Sequence, residues 1–434
     1  MDLAIVGGGL SGPLAAVFLA RRGHQVTLYE RRADPRTAER VAGRSINLAL
    51  SARGIDALNR IGLVDDVMAH ALPMRGRMLH DRDGTTAYQS YSADGSKAIN
   101  SVSRSALNDV LLGAAESTPG VSLRFEHRVT EVDETGVLRI ETPDGATTTH
   151  HDLVIGMDGA YSAVRERIVR SSRTAYQQEA LPWGYKELTI AAAADGGYAL
   201  DPDSLHIWPR QHSMMIALPN PDHSFTATLF WPFDGEHGFD ALTNETAVTK
   251  RFTEEYVDAV PLMPDLVPHF LHNPVSALVT VRLWPWTMGR IGVLGDAAHA
   301  IVPFYGQGMN CSFEDVVELD RCLERTPDVV EALAACAANR KPNTDAIADM
   351  ALDNFAEMRD KVGSRWFRVA KRAEHKLERL APSQFTSLYE LVSFTTVPYA
   401  EARRRGQRQR RVLGAMADTM DTITKPFDRN KSDA

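Results

Sequence analysis

The run Gly7-Gly8-Gly9-Leu10-Ser11-Gly12 restricts what this chain can fold into more than any other feature. It follows the short apolar stretch Asp2 to Val6, which reads as a strand, and precedes the helix-patterned stretch Pro13 to Arg22. Gly23 stops that helix, and a second strand, Gln25 to Tyr29, ends in Glu30. In a βαβ unit of this kind Gly7 permits the tight turn, Gly9 lets the backbone approach a pyrophosphate, and Gly12 lets helix and strand pack closely. The helix N-terminus then offers free N–H groups and a partial positive charge to phosphates. Glu30 is placed to accept both ribose hydroxyls, and it would repel a 2′-phosphate. Glycines serving a turn alone would not need the helix, the second strand and the acid in that order. The unit therefore binds NAD or FAD and does not choose between them.

Bulk properties narrow the class. A chain of 434 residues exceeds one ordinary core, so two or three packed units are expected. A formal charge of −8 disfavours nucleic acid as a partner, and the basic stretch Arg403 to Arg411 reads as a solvated helix face. Cys311, Cys322 and Cys336 are odd in number and match no zinc spacing, so they read as free thiols in a reducing compartment, with no metal. The apolar run Leu3 to Ala20 belongs to the dinucleotide unit and is not read as a signal peptide. No run reaches the ~18 apolar residues of a membrane-spanning helix, and Val412 to Thr424 is interrupted by Asp418 and Asp421. The expectation is a cytoplasmic protein without a membrane anchor, monomeric or homodimeric.

Two further motifs favour FAD. Leu153-Val-Ile-Gly-Met-Asp158-Gly159-Ala-Tyr-Ser162-Ala-Val-Arg165 reads as a buried strand, a turn and a helix. Far downstream, Ile291-Gly-Val-Leu-Gly295-Asp296 repeats strand and acid-bearing turn, and Pro303-Phe-Tyr-Gly306-Gln-Gly308-Met309-Asn310 is a glycine-rich loop opening a helix. NAD needs no second acid-bearing turn; FAD does, because its ribityl chain and isoalloxazine extend well beyond the ADP half. Asp296 is positioned to accept a ribityl hydroxyl, or else it caps a helix. The helix beginning near Met309 could aim its N–H groups at the flavin N1/C2 edge, where reduction deposits negative charge.

Together these motifs resemble the single-component, NADPH-dependent aromatic flavoprotein hydroxylases. In that family the Asp158-Gly159 turn with Arg165 serves FAD and nicotinamide, and the Gly295-Asp296 turn holds the ribityl chain. A second glycine fingerprint is absent, which suits a reductant that visits and leaves. The strings Arg44 to Ser51, Pro73 to Met78, Ser101 to Arg104, His206 to Arg210, Met214 to Asn220 and His299 to Asn310 resemble, within those hydroxylases, the kynurenine 3-monooxygenase family, from residue 2 to about residue 400. The resemblance implies FAD contacts at Ser11, Glu30, Arg31, Ala49, Arg104, Val129, Asp158, Asp296, Met309 and Asn310, beside Gly7, Gly9, Gly12 and Gly308 of the loops. It implies Arg77, Tyr91, Asn354 and Tyr389 as the substrate set for L-kynurenine. It further implies NADPH as transient reductant, O2 as co-substrate, a flavin C4a-hydroperoxide as oxidant, and 3-hydroxykynurenine as product, with no side chain acting as nucleophile. Tyr305 departs from a position where relatives vary, and its role is open.

Elementary chemistry fits the substrate set. A buried carboxylate needs a cation, and arginine offers a bidentate fork. Two phenols and an amide can complete its hydrogen bonds. Arg77 could instead be a surface ion-pair residue and Tyr91 a packed core aromatic, while Asn354 is a poor helix former in a helical run. His299 reads more simply as a packed histidine than as an acid–base group. Rival readings are a flavin halogenase, suggested by Trp284-Pro-Trp286 but not continued by Thr287-Met288-Gly289; a hydroxylase of a ring-methylated kynurenine; and a non-hydroxylating flavoprotein redox sensor.

The expected fold is α/β (α+β overall): a Rossmann-like FAD unit from residues 1–175 and 276–330, an antiparallel sheet from 176–275, and a helical unit from 331–434 closing the substrate pocket. Strand-patterned runs at Leu205 to Trp208, Ser213 to Leu218 and Ser224 to Trp231 supply the sheet. Helical runs are Val330 to Asn339, Asp345 to Asp360, Trp366 to Leu380 and Phe385 to Phe394, broken at Pro382, before a loose polar end, Lys425 to Ala434.

Overall fold

A computed structural model describes residues 1–37, 46–92, 94–171, 173–360, 386–409 and 411. The helical run Trp366 to Leu380, the break at Pro382, and the end Lys425 to Ala434 lie outside the described residues.

Asp2–Val6 forms the strand expected of it and lies between two parallel neighbours, Gln25–Tyr29 on one side and Leu153–Gly156 on the other. Val121–Arg124 and Ile291–Val293 extend this sheet outward, both parallel, and Thr287–Met288 adds one antiparallel edge. The chain leaves Asp2–Val6 toward one side and returns on the other, so the sheet has its switch point there. Ligands of open α/β sheets bind outside the carboxyl ends of the strands at such a point. All three cofactor-type turns, Gly7–Gly12, Asp158–Gly159 and Gly295–Asp296, follow those carboxyl ends on adjacent strands.

The first helix spans Ser11–Arg21, starting two residues before the sequence-based expectation of Pro13. Every residue from Gly12 to Ala20 is buried, which explains a run apolar on all sides without any membrane role. Two glycines here are dictated by close approach. A Cβ on Gly7, whose φ is +116°, would lie 2.4 Å from the Met157 carbonyl oxygen, and one on Gly12 would lie 2.0 Å from that of Gly7.

A seven-stranded sheet forms a wall opposite these turns. Ser204–Pro209, Met214–Pro219 and Phe225–Pro232 pair antiparallel, as the alternating pattern predicts. The wall also recruits Gly76–His80 and Thr86–Ser90 at one edge and Ser276–Trp284 at the other, with the long strand Ala175–Ile190 between. Residues from outside 176–275 therefore complete it, because only pairing on both flanks satisfies its backbone groups. One face buries Trp208, Phe225, Leu229 and Trp231 against the helices Glu245–Glu255 and Leu266–His272. The other face carries Arg77, Ile207, Ile216, Thr228, Glu187 and Phe230 toward the cofactor-type turns.

The helical runs expected at Val330 to Asn339 and Asp345 to Asp360 are one helix, Val329–Asp360, with Pro342 inside it. Side-chain bonds from Asn343 Nδ2 to the Asn339 carbonyl and from Thr344 Oγ1 to the Lys341 carbonyl flank the proline turn, so the helix runs through it. Leu388–Ser393 and a helix over 399–409 pack on this helix and on the loop before Gly308. Among the described residues no helix is long and apolar enough to cross a membrane.

Candidate active site

The ADP end is built around Glu30. Its carboxylate accepts from the Gly8 N–H at 2.8 Å and from the Arg32 N–H at 3.0 Å, which holds it beside the glycine turn. Ser11 is the first residue of a helix whose N-terminus has no side-chain cap, leaving its leading N–H groups for an external acceptor. A Cβ on Gly9 would meet nothing within 4 Å, so open space lies against the backbone where a pyrophosphate has to approach. Arg31 is exposed directly after Glu30. Val129 is buried two residues beyond His127, whose N–H donates to the Glu30 carbonyl.

The other two turns are physically joined. Arg165 is buried and donates to the carbonyl oxygens of Ala160 at 2.5 Å and Ala297 at 3.0 Å, so one guanidinium ties the Asp158 turn to the Asp296 turn. Asp158 Oδ2 accepts from the Ala163 N–H at 2.7 Å, whereas Oδ1 is buried with no partner among the described residues. That orphaned oxygen fits a hydroxyl-bearing ligand. Burial raises the Asp158 carboxyl, with the Ser162 hydroxyl acting against it.

Asp296 is surrounded by protein yet remains accessible, so it lines an internal cleft and does not sit on an outer surface. Burial raises its carboxyl, opposed by His299 and then Arg104. Arg104 opens the helix Arg104–Ser117 and is itself exposed. It acts electrostatically on both Asp296 and Glu187 of the opposite wall, holding each carboxyl down against burial.

Gly308–Arg325 begins where expected, again without a side-chain cap, and a Cβ on Gly308 would meet nothing within 4 Å. The first N–H groups of this helix, at Gly308, Met309 and Asn310, have no acceptor inside it. The side chain of Asn310 is fully buried and already engaged. Its amide donates to the carbonyls of Ala49 at 2.8 Å and Gly306 at 3.0 Å, and its oxygen accepts from the Ser51 N–H at 3.0 Å. Asn310 thus bolts the strand Asn47–Leu50 to the loop, leaving its backbone as the group able to face a cofactor. The open cradles, the orphaned Asp158 oxygen, the cleft-lining Asp296 and the two uncapped helix starts fit FAD.

Three of the four residues expected to meet the substrate converge. The Arg77 guanidinium carbon lies 4.3 Å from the ring centre of Tyr389 and 5.6 Å from that of Tyr91, and the two phenol rings stack with centres 5.3 Å apart. Arg77 Nε and the Tyr91 hydroxyl are buried without a hydrogen-bond partner among the described residues. Burial pushes the Tyr91 phenol well up, so it stays protonated. No described carboxylate forms an ion pair with Arg77, which removes the surface-pair reading. Asn354 is the fourth expected residue. It donates to the Phe304 carbonyl at 2.7 Å and so fixes the loop carrying Tyr305, whose ring lies 5.9 Å from that of Tyr389.

Sequence reasoning missed several neighbours. Phe394 joins the aromatic cluster, 6.0 Å from Tyr91, and Lys97 forms an ion pair with Glu390 that ties Leu388–Ser393 to the segment before the strand Ile99–Ser103. Glu187 has its carboxyl pushed up to about 7 by burial, with Arg104 opposing. Its only sequence signal is a carboxylate at a position of a strand whose neighbours face the cleft. His299 is buried as expected, paired at 2.5 Å with Asp315, a partner not anticipated. The three cysteines are free and buried.

Comparison with known proteins places this geometry. A family described as FAD binding domain matches residues 1–334. The chain is 46% identical over 416 residues to a kynurenine 3-monooxygenase of Salinispora arenicola, covering 95% of this chain and 92% of that one. It is 44% identical to a kynurenine 3-monooxygenase of Dictyostelium discoideum, covering 96% and 94%. The fold is also that of 2-methyl-3-hydroxypyridine-5-carboxylic acid oxygenase, with a TM-score of 0.68 at 21% identity over 84% of this chain and 94% of the other. Fold and turns define an FAD-binding flavoprotein of the aromatic-hydroxylase type. Within that class, the chain belongs to the kynurenine 3-monooxygenase family.

Proposed function

We propose that this protein hydroxylates L-kynurenine at C3, ortho to the ring amine, using FAD, NADPH and O2 and releasing 3-hydroxykynurenine. The observation that carries the substrate reading is Arg77: a half-buried guanidinium with no carboxylate partner among the described residues, lying over Tyr389 beside the buried hydroxyl of Tyr91. A cation partly withdrawn from water with no counter-ion beside it gains from a ligand that supplies the anion, and an amino acid carboxylate does so.

Bound FAD supplies hydride acceptance and oxygen activation. The chain holds and shields it. Glu30 takes the ribose hydroxyls, Asp296 the ribityl chain, and the N–H groups at Gly308 to Asn310 the ring edge that gains negative charge. Arg77 grips the substrate carboxylate while Tyr91 and Tyr389 orient it, and Asn354 steadies the Phe304–Tyr305 loop above. Trp183, Phe230, Phe304 and Phe355 form a contiguous aromatic wall that excludes water from the reacting end. The buried, unpaired thiols support a cytoplasmic location. No observation favours a ring-methylated kynurenine or a redox-sensing role. The reading is tested by replacing Arg77 with methionine. Kynurenine should lose its hold on the enzyme while FAD stays bound; unchanged kynurenine kinetics would remove the assignment.

A further inference from the structure

The carboxylate of Asp315 is completely buried and makes three strong contacts. Oδ2 accepts from the Gly295 N–H at 2.9 Å and from His299 Nε2 at 2.5 Å, and Oδ1 accepts from Arg340 Nε at 2.6 Å. Asp315 belongs to the helix Gly308–Arg325, whose first residues face the cofactor cleft, while Gly295 immediately precedes Asp296. One carboxylate therefore spans the two elements proposed to meet the ribityl chain and the flavin ring. Gly295 has a φ of +60°, and a Cβ there would lie 3.1 Å from Ser312 Oγ, so turn and helix are already at closest approach.

The ligand-type atoms of His299, Cys311 and Asp315 lie within 4.8 Å of one another, which invites a metal reading. Arg340 occupies that space. It donates to Asp315, to the Cys311 carbonyl at 3.2 Å and to Cys311 Sγ at 3.3 Å, and pairs with Glu314 at 2.6 Å. A guanidinium seated among the candidate ligands does the work of a cation.

We infer that Asp315 is a positioning residue for the cofactor, fixing the Gly295–Asp296 turn to the N-terminal end of helix Gly308–Arg325 with His299 and Arg340 as its counter-ions. The inference rests on Asp296 holding the ribityl chain. Glu314 carries the register further, pairing at 3.3 Å with the buried Arg53, which stacks on Tyr399 at 3.9 Å. Tyr399 in turn donates to Gln307 at 2.8 Å, at the mouth of the same helix.

The test is FAD affinity of the apoprotein, followed by flavin fluorescence, with the visible circular dichroism of the bound flavin and the thermal midpoint of the apoprotein measured beside it. Asp315→Asn should raise the FAD Kd at least tenfold and change the flavin dichroism, although the residue touches no flavin atom. His299→Gln keeps a donor toward Asp315 without charge; it should shift both in the same direction by a smaller factor, and it decides the matter if Asp315→Asn does not fold. A lowered thermal midpoint with unchanged Kd and dichroism in these variants would mean a merely structural role and would overturn the inference. Asp296→Ala separates the two levels: if it weakens FAD binding while the Asp315 and His299 variants do not, only the positioning role fails. If Asp296→Ala itself binds FAD normally, the ribityl reading fails and this inference with it.

Discussion

The Arg77 guanidinium lies over the Tyr389 ring, its carbon 4.3 Å from the ring centre, although one residue is on the strand next to the edge of the wall sheet and the other on the short helix Leu388–Ser393. Such a contact contributes on the order of 0.5–2 kcal/mol by itself. Its larger consequence is geometric, because it holds in place a cation that has no carboxylate partner among the described residues.

Replacing Arg77 with alanine should therefore act on kynurenine and hardly on FAD. Stranding a buried carboxylate costs about 2–5 kcal/mol. We expect KM for kynurenine to rise by at least tenfold with flavin content unchanged, measured by steady-state NADPH oxidation. Kinetics matching the parent enzyme would put the carboxylate elsewhere.

Tyr389→Phe keeps the stack and loses one hydroxyl, whereas Tyr389→Leu loses both. Removing one hydrogen bond costs roughly 0.5–1.5 kcal/mol. The expected order of kynurenine kcat/KM is parent, then Phe, then Leu, and a leucine variant as good as the phenylalanine one would remove the stacking role.

His299 gives a pH signature. Burial opposes its charge, but Asp315 overcomes that and pushes the imidazole up to about 10. A folded-state value above the unfolded one stabilises the fold fully below about 6.5, and this support is lost as pH rises through 10. His299→Gln should have a lower melting temperature than the parent at pH 6, with the gap narrowing toward pH 10. A gap constant across that range would show that the imidazole carries no charge in the fold.

Glu187 runs the other way. Burial favours its neutral form and pushes the carboxyl up to about 7, Arg104 opposing. The fold gains from a protonated Glu187 at low pH and loses that gain as pH rises from the ordinary carboxylate range through 7. Glu187→Gln apoprotein should match the parent near pH 4 and melt higher at pH 8. Equal melting at both would place the carboxyl in open solvent.

What could be read in the chain followed from locality. The strand Asp2–Val6, its glycine turn and Glu30 are adjacent in sequence, and their geometry is dictated by neighbours, so the FAD unit was legible. The wall strands Ser204–Pro209 and Met214–Pro219 announced themselves by alternation. The gap expected between Asn339 and Asp345 is absent from the fold, because helix packing and flanking side-chain bonds outweigh the N–H that Pro342 lacks. The Asp315 cluster and the Lys97–Glu390 clamp were hidden for a different reason: each joins charges far apart in the chain, and nothing local marks Asp315 as different from any acid in an amphipathic helix. Likewise Asn354, a poor helix former in a helical run, has an amide tied to the Phe304 carbonyl, a partner that only folding supplies.

The most direct test of the central claim is NADPH oxidation by the FAD-loaded protein with and without L-kynurenine, with the product mass recorded. We expect oxidation to accelerate severalfold on adding kynurenine, and one oxygen atom to be added at C3 of the substrate. Oxidation indifferent to kynurenine, or acceleration without a hydroxylated product, would contradict the account.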